Sequence, residues 1–328
     1  MIYRQLLYIA LCLVLCSCQT KTKTTPADVR CAFSADSAYT YIAQQLAFGP
    51  RVPGTEAHEA CGDWLVSELA RHGAQVKSQY GIMTNYAGKA QDIRNIVAML
   101  EGNTPHAILL CAHWDCRPWS DEEERYEDRF EPVMGANDGA SGVGVILEMV
   151  RQMAIRKSKG EFIPTVQVVF FDCEDMGTPA HFTGSQRDHT WCLGSQYWAQ
   201  QLKIQNSKFK INYGILLDMV GDPSATFPRE YFSMQYAGSY VERLWREASK
   251  LGYGRYFVQQ VTYYPITDDH YYVNTIAGIP CVDVIDYKTN TETGFAEWWH
   301  TQHDDIQNIN KQTLQAVGET VLTTICSK

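Results

Sequence analysis

The chain has 328 residues, of which 45% are hydrophobic and 20% are charged. This length suffices for one large α/β domain or two smaller ones. The formal net charge is −9 at pH 7, and no basic stripe is present that could neutralise phosphates, which argues against nucleic acid as a partner. Part of the acid excess lies in one run, Ser120 to Glu131, which we expect to form a solvated loop.

The N-terminus has the pattern of an export signal. Arg4 precedes an apolar segment from Leu6 to Leu15, which is too short to span a bilayer comfortably and is typical of a secretory signal peptide. The following Leu15-Cys16-Ser17-Cys18 resembles a bacterial lipobox. That resemblance implies cleavage before Cys18 and a lipid anchor on its thiol, with the protein facing the periplasm; a plain signal peptide is the alternative.

The rest of the chain shows no repeat and no internal linker. We interpret residues 1–18 as a lipoprotein signal peptide, residues 19–35 as a polar tether too poor in apolar residues to pack, and residues 36–328 as a single domain. Three of the 11 cysteines lie in the export segment, which leaves eight. None has metal-type Cys-x-x-Cys spacing. An export route permits disulfides, and the sequence does not assign any pairing among these cysteines.

Strand and helix patterns alternate along the domain. Amphipathic spacing predicts a first helix over residues 59–73. The runs that predict strands are mostly continuously apolar, which is typical of strands covered on both faces; they are 92–102, 106–115, 165–175, 213–221 and 279–287. Further helices are predicted over 139–154, 194–204, 240–252 and 310–325.

This alternation predicts an α/β fold, a three-layer sandwich with a mostly parallel central sheet and helices on both faces. In such sheets ligands bind beyond the carboxyl ends of the strands. Polar residues stand at these ends, drawn from four segments of the chain: His113, Asp115, Asp138, Glu174, Asp175 and Asp218. The sequence therefore predicts a polar cluster at one edge of the sheet.

A strand-end cluster of His, Asp and Glu suits Zn²⁺, which takes imidazole and carboxylate ligands. Asp138 by itself could equally cap the helix that follows it. The joint pattern favours a metal site, because His300 follows two tryptophans, Trp298 and Trp299, where packing does not readily explain a histidine.

Together these motifs resemble the glutaminyl cyclases, zinc enzymes related to the two-zinc aminopeptidases. The likeness runs from about Phe48 to the last helix. The segments "HWD", "DGASG" and the acid pair Glu174-Asp175 are shared with the aminopeptidases. The segments "TDDH", "DMVGDPSATFP" and "WHT" are the parts that resemble the cyclases.

The resemblance implies a role for nine residues of a single catalytic domain. One zinc ion per chain would be bound by Asp138, Asp175 and His300. Glu174 would be the general acid and base, with Asp218 and Asp268 as supporting carboxylates, and the pocket would be lined by Trp191, Phe295 and Trp299.

The chain departs from the animal cyclases at two places. Asp175 replaces their glutamate ligand and is shorter by one methylene. Ala112 replaces a cysteine, so we expect their disulfide to be absent.

The implied reaction converts the N-terminal glutamine of peptides or proteins to pyroglutamate with release of ammonia. The alternative is a two-metal aminopeptidase whose second zinc would be bound by His113 and Asp218. Asp268 argues against it, because such a hydrolase has no role for this extra carboxylate. A third hypothesis is a non-catalytic lipoprotein on the same fold, which would be expected to lose Glu174 or a ligand.

Overall fold

The computed structural model describes residues 30–204 and 210–327. The predicted signal peptide and residues 19–29 of the predicted tether lie outside the described residues. In the described part of the chain, no helix combines the length and the apolar character needed to cross a bilayer.

The described residues form an α/β domain. Its helices are α1 (Ala35–Leu46), α2 (Glu56–Arg71), α3 (Ala140–Ser158), α4 (Leu193–Ile204), α5 (Tyr231–Lys250), α6 (Asp269–Tyr272) and α7 (Lys311–Cys326). Its strands are β1 (Gln75–Thr84), β2 (Ala90–Leu100), β3 (Ala107–His113), β4 (Thr165–Phe171), β5 (Ile211–Asp218), β6 (Phe227–Arg229), β7 (Phe257–Val261) and β8 (Cys281–Ile285).

The central sheet is mixed and has six strands in the order β1-β2-β4-β3-β5-β8. Strands β4, β3, β5 and β8 pair in parallel, whereas β2 is antiparallel to both of its neighbours. The predicted mostly parallel sheet is thus confirmed, with β2 as the one reversed strand. A separate pair, β6 and β7, forms a small second sheet.

Helices cover both faces of the sheet, as predicted. Helices α1, α2, α3, α5 and α7 pack on one face in the larger apolar core, where Leu110 and Phe170 point. Helix α4 and the π-helical turn Val273–Ala277 after α6 cover the other face, where Cys111 and Phe171 point. Every residue of β4 is buried, which explains its continuously apolar sequence.

The five predicted strands of the main sheet are confirmed within a few residues, but β1 was not predicted. Its residues alternate between exposed and half-buried positions, and it is an edge strand that forms a hairpin with β2. Its polar sequence carries little of the hydrophobic signal on which strand prediction depends. The small β6–β7 pair was missed as well.

Helix α1 was also not predicted, and the packed chain begins before it. Cys31 and Phe33 are buried; the backbone N–H of Cys31 donates to Oγ1 of Thr323 at 3.1 Å. The ring of Phe33 lies over Gly318, where any Cβ would clash with it. Residues 31–35 thus belong to the folded domain rather than to the tether that the sequence predicted for 19–35.

Candidate active site

All nine predicted site residues line one cavity of about 1140 Å³ at the carboxyl ends of the parallel strands. Strand β4 leads into Glu174 and Asp175, β5 ends at Asp218, and Asp138 lies two residues before the start of α3. Residues far apart in the sequence, from 138 to 300, therefore meet at the edge of the sheet where an α/β fold binds its ligands.

Asp138, Asp175 and His300 form a compact triad. Nε2 of His300 lies 3.1 Å from Oδ1 of Asp175 and 3.5 Å from Oδ2 of Asp138. Each side chain offers one atom that could bind a metal, these three atoms lie within 4.8 Å of one another, and all three side chains are buried. This is the spacing of groups that share one metal ion.

The turn before α3 aims Asp138 into the cavity. Gly139 has φ +92°, and a Cβ there would lie 2.6 Å from the carbonyl oxygen of Asp115, so only glycine fits. The carboxylate of Asp304 accepts hydrogen bonds from the backbone N–H groups of Asn137 and Asp138 at 2.7 and 3.0 Å. Asp138 is therefore fixed through its backbone by a second, fully buried acid.

Asp175 is held by an acid in the same way as Asp138. The two carboxylate oxygens of Asp115 accept hydrogen bonds from the backbone N–H groups of Glu174 and Asp175, both at 3.2 Å. Arg117 donates to the carbonyl oxygen of Asp175 at 2.9 Å. The strand end that carries both acids is thus held from two sides.

His300 is oriented by aromatic packing and by a third acid. Its backbone has φ +53°, a conformation that non-glycine residues seldom adopt. The Trp299 ring stacks on its imidazole with the centroids 3.6 Å apart, and Nδ1 lies 3.7 Å from Oδ1 of Asp121. Burial disfavours the charged imidazole, yet the carboxylates of Asp175 and Asp138 raise its pKa.

Glu174 lies beside this triad with a carboxyl that retains its proton more readily than usual. It is 8% exposed, and its pKa is raised well above the ordinary value, first by burial and then by the charges of Asp175 and Asp268. Oxygen atoms of Glu174 and Asp268 lie within 4.8 Å of each other. A raised pKa makes this carboxyl better suited to hold and return a proton during a reaction.

Asp268 precedes α6 and caps it by accepting the backbone N–H of Asp269. Its pKa is raised by burial, and its Oδ2 is buried without a hydrogen-bond partner among the described residues. It therefore presents one free oxygen in the region of Glu174.

A second cluster shares Asp138 with the triad. Nε2 of His113 lies 2.9 Å from Oδ1 of Asp138 and 3.2 Å from Oδ1 of Asp218, and the three side chains also meet the spacing for a metal ion. Burial raises the pKa of Asp218 to about 7, although the hydrogen bond with His113 opposes this rise. The site therefore offers either a second metal position or a hydrogen-bonded histidine.

The three predicted aromatic residues form walls around the triad. Trp191 lies parallel to the imidazole of His300 with the centroids 6.2 Å apart. The Phe295 ring packs on Trp299 at 4.7 Å. All three side chains are half-buried, so each has one surface against the protein and another toward the cavity.

Several residues that shape the site were not predicted to do so. The sequence predicts a solvated acidic loop at Asp121, and this prediction is wrong for that residue, which is 5% exposed and paired with the buried Arg117. The guanidinium of Arg117 lies 4.6 Å from the Trp191 ring centroid. Asp304 and Cys192 were missed as well, because their contacts join segments that are distant in sequence. The segment "HDD" (residues 303–305), which follows His300, is the one sequence feature that could have indicated a role for Asp304.

The profile of peptidase family M28 matches residues 95–325, which is more than half of the chain. The chain belongs to peptidase family M28. This confirms the superfamily that "HWD", "DGASG" and the acid pair indicate, together with its zinc-exopeptidase-like fold.

Solved structures of bacterial glutaminyl cyclases are similar to the chain over nearly their whole length. The Tannerella forsythia enzyme is 46% identical with a TM-score of 0.85, covering 90% of this chain and 99% of that one. The Porphyromonas gingivalis enzyme is 44% identical with a TM-score of 0.82, covering 90% and 98%. The predicted relationship to bacterial glutaminyl cyclases, and with it the prediction of an enzyme, is confirmed.

A Zn-dependent exopeptidase from Parabacteroides distasonis is equally similar, at 46% identity and a TM-score of 0.84 over 90% of this chain and 99% of that one. Among curated relatives, the glutaminyl-peptide cyclotransferase of Bos taurus is 22% identical over 246 residues. That match covers 69% of this chain and 63% of the bovine protein.

We predict that Asp304 is essential for the local fold of the site. Replacing it by alanine leaves the buried N–H groups of Asn137 and Asp138 without acceptors, so Asp304→Ala should lower the free energy of unfolding by about 2–4 kcal/mol. The neighbouring Asp305 only caps a short 3₁₀ turn by accepting the N–H of Gln307, and Asp305→Ala should cost about 1 kcal/mol. Urea unfolding in the presence of a chelator measures both; equal losses would contradict the assignment.

Proposed function

We propose that this chain is a zinc-dependent glutaminyl-peptide cyclotransferase that converts N-terminal glutamine to pyroglutamate with release of ammonia. The observation that carries the proposal is the buried pair of Glu174 and Asp268 beside the triad, in one cavity. Cyclisation requires a proton to move from the attacking nitrogen to the leaving nitrogen of the same substrate, and two neighbouring buried carboxyls suit this transfer.

The triad fits a zinc ion. One imidazole and two carboxylates are ligands that zinc takes in catalytic sites, where a further position stays open for substrate. Oδ2 of Asp175 is buried without a hydrogen-bond partner among the described residues. A bound cation or a proton would compensate this oxygen. Asp138, Asp175 and His300 would hold the ion.

When bound, zinc would draw charge from the side-chain amide carbonyl of the glutamine and make its carbon a better electrophile. The attacking group is the α-amine of the same residue, whose pKa of about 7.7–8.0 leaves a useful fraction unprotonated near neutral pH. The remaining tasks of the protein are to position the glutamine and to transfer a proton from its α-amine to its side-chain amide nitrogen.

Glu174 would carry the proton. As the α-amine nitrogen bonds to the amide carbon, the carboxylate of Glu174 removes a proton from that nitrogen. The resulting carboxyl then donates it to the side-chain amide nitrogen, and the carbon–nitrogen bond breaks to release ammonia. Asp268 and Asp218 would support this exchange, because burial raises the pKa of each and allows each to hold a proton in the same network.

The aromatic walls would hold the glutamine in its folded form. Ring closure requires the amine and the amide carbon to stay in contact, and restricting the side chain to that arrangement supplies effective concentration. Trp191, Phe295 and Trp299 have rigid side chains that provide this contact area and displace water, which would otherwise hydrolyse the amide.

We predict that Glu174→Gln reduces kcat for a glutamine-initiated peptide by roughly 10² to 10⁴-fold, because the amide cannot accept and return the proton. Mass spectrometry of the peptide measures the loss of ammonia, and circular dichroism checks the fold. Glu161→Gln is the matched control, since Glu161 is exposed and paired with Arg156. Unchanged turnover in Glu174→Gln would contradict the proposal.

A two-metal aminopeptidase is the second candidate. The second cluster at His113, Asp138 and Asp218 favours it, as does the likeness to the Parabacteroides distasonis protein that is named a Zn-dependent exopeptidase.

Metal content and substrate preference separate the two candidates. We expect one zinc per chain by elemental analysis, with turnover of glutamine β-naphthylamide and none of leucine p-nitroanilide. His300→Ala should lose the ion because it removes a third of the ligand set, whereas His303→Ala, which changes an exposed histidine three residues later, should retain it. Two tightly bound zincs with leucine release would establish the aminopeptidase instead.

We also propose that the protein is exported and held at a bacterial membrane by a lipid on Cys18, facing the periplasm. The lipobox-like segment supports this. In cells fed labelled palmitate, Cys18→Ala should abolish labelling and shift the protein out of the membrane fraction, whereas Cys16→Ala, two residues away, should leave the thiol of Cys18 available. Persistent labelling of Cys18→Ala would rule out the anchor.

A further inference from the structure

The carboxylate of Glu174 receives a hydrogen bond from a cysteine. Sγ of Cys192 lies 3.1 Å from Oε1 of Glu174, and both side chains are buried. Among the described residues, this thiol is the only hydrogen-bond donor to the side chain of Glu174. A buried carboxylate with one donor can have only one of its two oxygens fixed by it.

The backbone holds the thiol in place. The N–H of Cys192 donates to the carbonyl oxygen of Glu174 at 2.9 Å, and the N–H of Leu193 donates to the carbonyl oxygen of Cys173 at 3.1 Å. These two bonds join the end of β4 to the start of α4. Cys192 has φ +57°, a conformation that non-glycine residues seldom adopt, and the paired backbone maintains it.

The chemical state of Cys192 suits a donor rather than a nucleophile. Burial, followed by the charge of Glu174, raises the pKa of the thiol well above its ordinary value. The sulfur therefore keeps its proton, and that single proton is directed at Oε1. The oxygen that Cys192 does not contact is left for the substrate, since Glu174 lines the cavity.

We propose that Cys192 is a positioning residue for the reaction, which holds Oε1 of Glu174 so that the other carboxylate oxygen carries the proton between the two substrate nitrogens. This inference rests on the proposed cyclase function. Without the thiol, the carboxylate can rotate about its terminal bond and present either oxygen, and productive alignment is lost in part of the population.

Cys192→Ala removes the donor, and Cys192→Ser replaces it with a hydroxyl. A thiol is a weak donor, but its acceptor here is a carboxylate, so we expect Cys192→Ala to lower kcat by about tenfold. KM should stay within about twofold because no substrate contact changes. Cys192→Ser should recover most of the lost kcat. Steady-state kinetics on a glutamine-initiated peptide measures the split between kcat and KM.

Cys173→Ala is the matched control. Cys173 is equally buried, has φ +54° and lies at the same junction, but its thiol contacts the carbonyl oxygen of Asp92 rather than a carboxylate. A loss of stability similar to that of Cys192→Ala, without the tenfold loss of kcat, supports positioning. Equal kcat losses in both alanine variants, or no recovery in Cys192→Ser, would overturn it.

An infrared measurement tests the contact independently of turnover. The S–H stretching band of Cys192, isolated as the difference between wild type and Cys192→Ala, should lie at lower frequency than that of a free thiol and move upward in Glu174→Gln. A band at the free-thiol frequency would refute the hydrogen bond. A wild-type enzyme that forms no pyroglutamate refutes the proposed function, whereas an active wild type with an equally active Cys192→Ala refutes only the positioning role.

Discussion

Five carboxylates are buried around one cavity, and their mutual repulsion is the constraint on which the rest of the site depends. They belong to Asp138, Glu174, Asp175, Asp218 and Asp268, and none is more than 8% exposed. Burying like charges is unfavourable unless protons, cations or hydrogen bonds compensate them. The fold supplies His113, His300 and Arg117 for this purpose, and the proposed zinc would complete the compensation.

The compensation is uneven, and this gives chemically similar acids different roles. Although burial opposes it, hydrogen bonds with His113 and His300 hold the pKa of Asp138 below its ordinary value, which is the state of a metal ligand. Among the described residues, no imidazole forms a hydrogen bond with Glu174, and burial raises its pKa. Two carboxyl groups thus have different states: Asp138 is suited to bind a metal and Glu174 to carry a proton. Acid–base enzymes use the same division between neighbouring carboxyls.

A further layer of acids acts on the backbone rather than on the substrate. Asp115 and Asp304 each accept two adjacent backbone N–H groups, and they fix the turns that carry the ligands. The stacking of Trp299 on His300 and the salt bridge between Arg117 and Asp121 hold the loops that carry His300 and its neighbours in place. Supporting groups of this kind orient metal ligands and tune them.

The sequence patterns indicated the layered α/β fold, and the resemblance to the cyclases pointed to nine of the residues that line the cavity. Buried parallel strands leave continuous apolar runs, and residues of fixed chemical type stand at their ends in short motifs. The folded structure was needed to reveal the edge strand β1, the packing of residues 31–35 on α7, and the supporting contacts of Asp121, Asp304 and Cys192. These depend on segments that meet in space after folding, and an isolated aspartate or cysteine looks the same in the sequence whether its partner is water or a buried backbone amide.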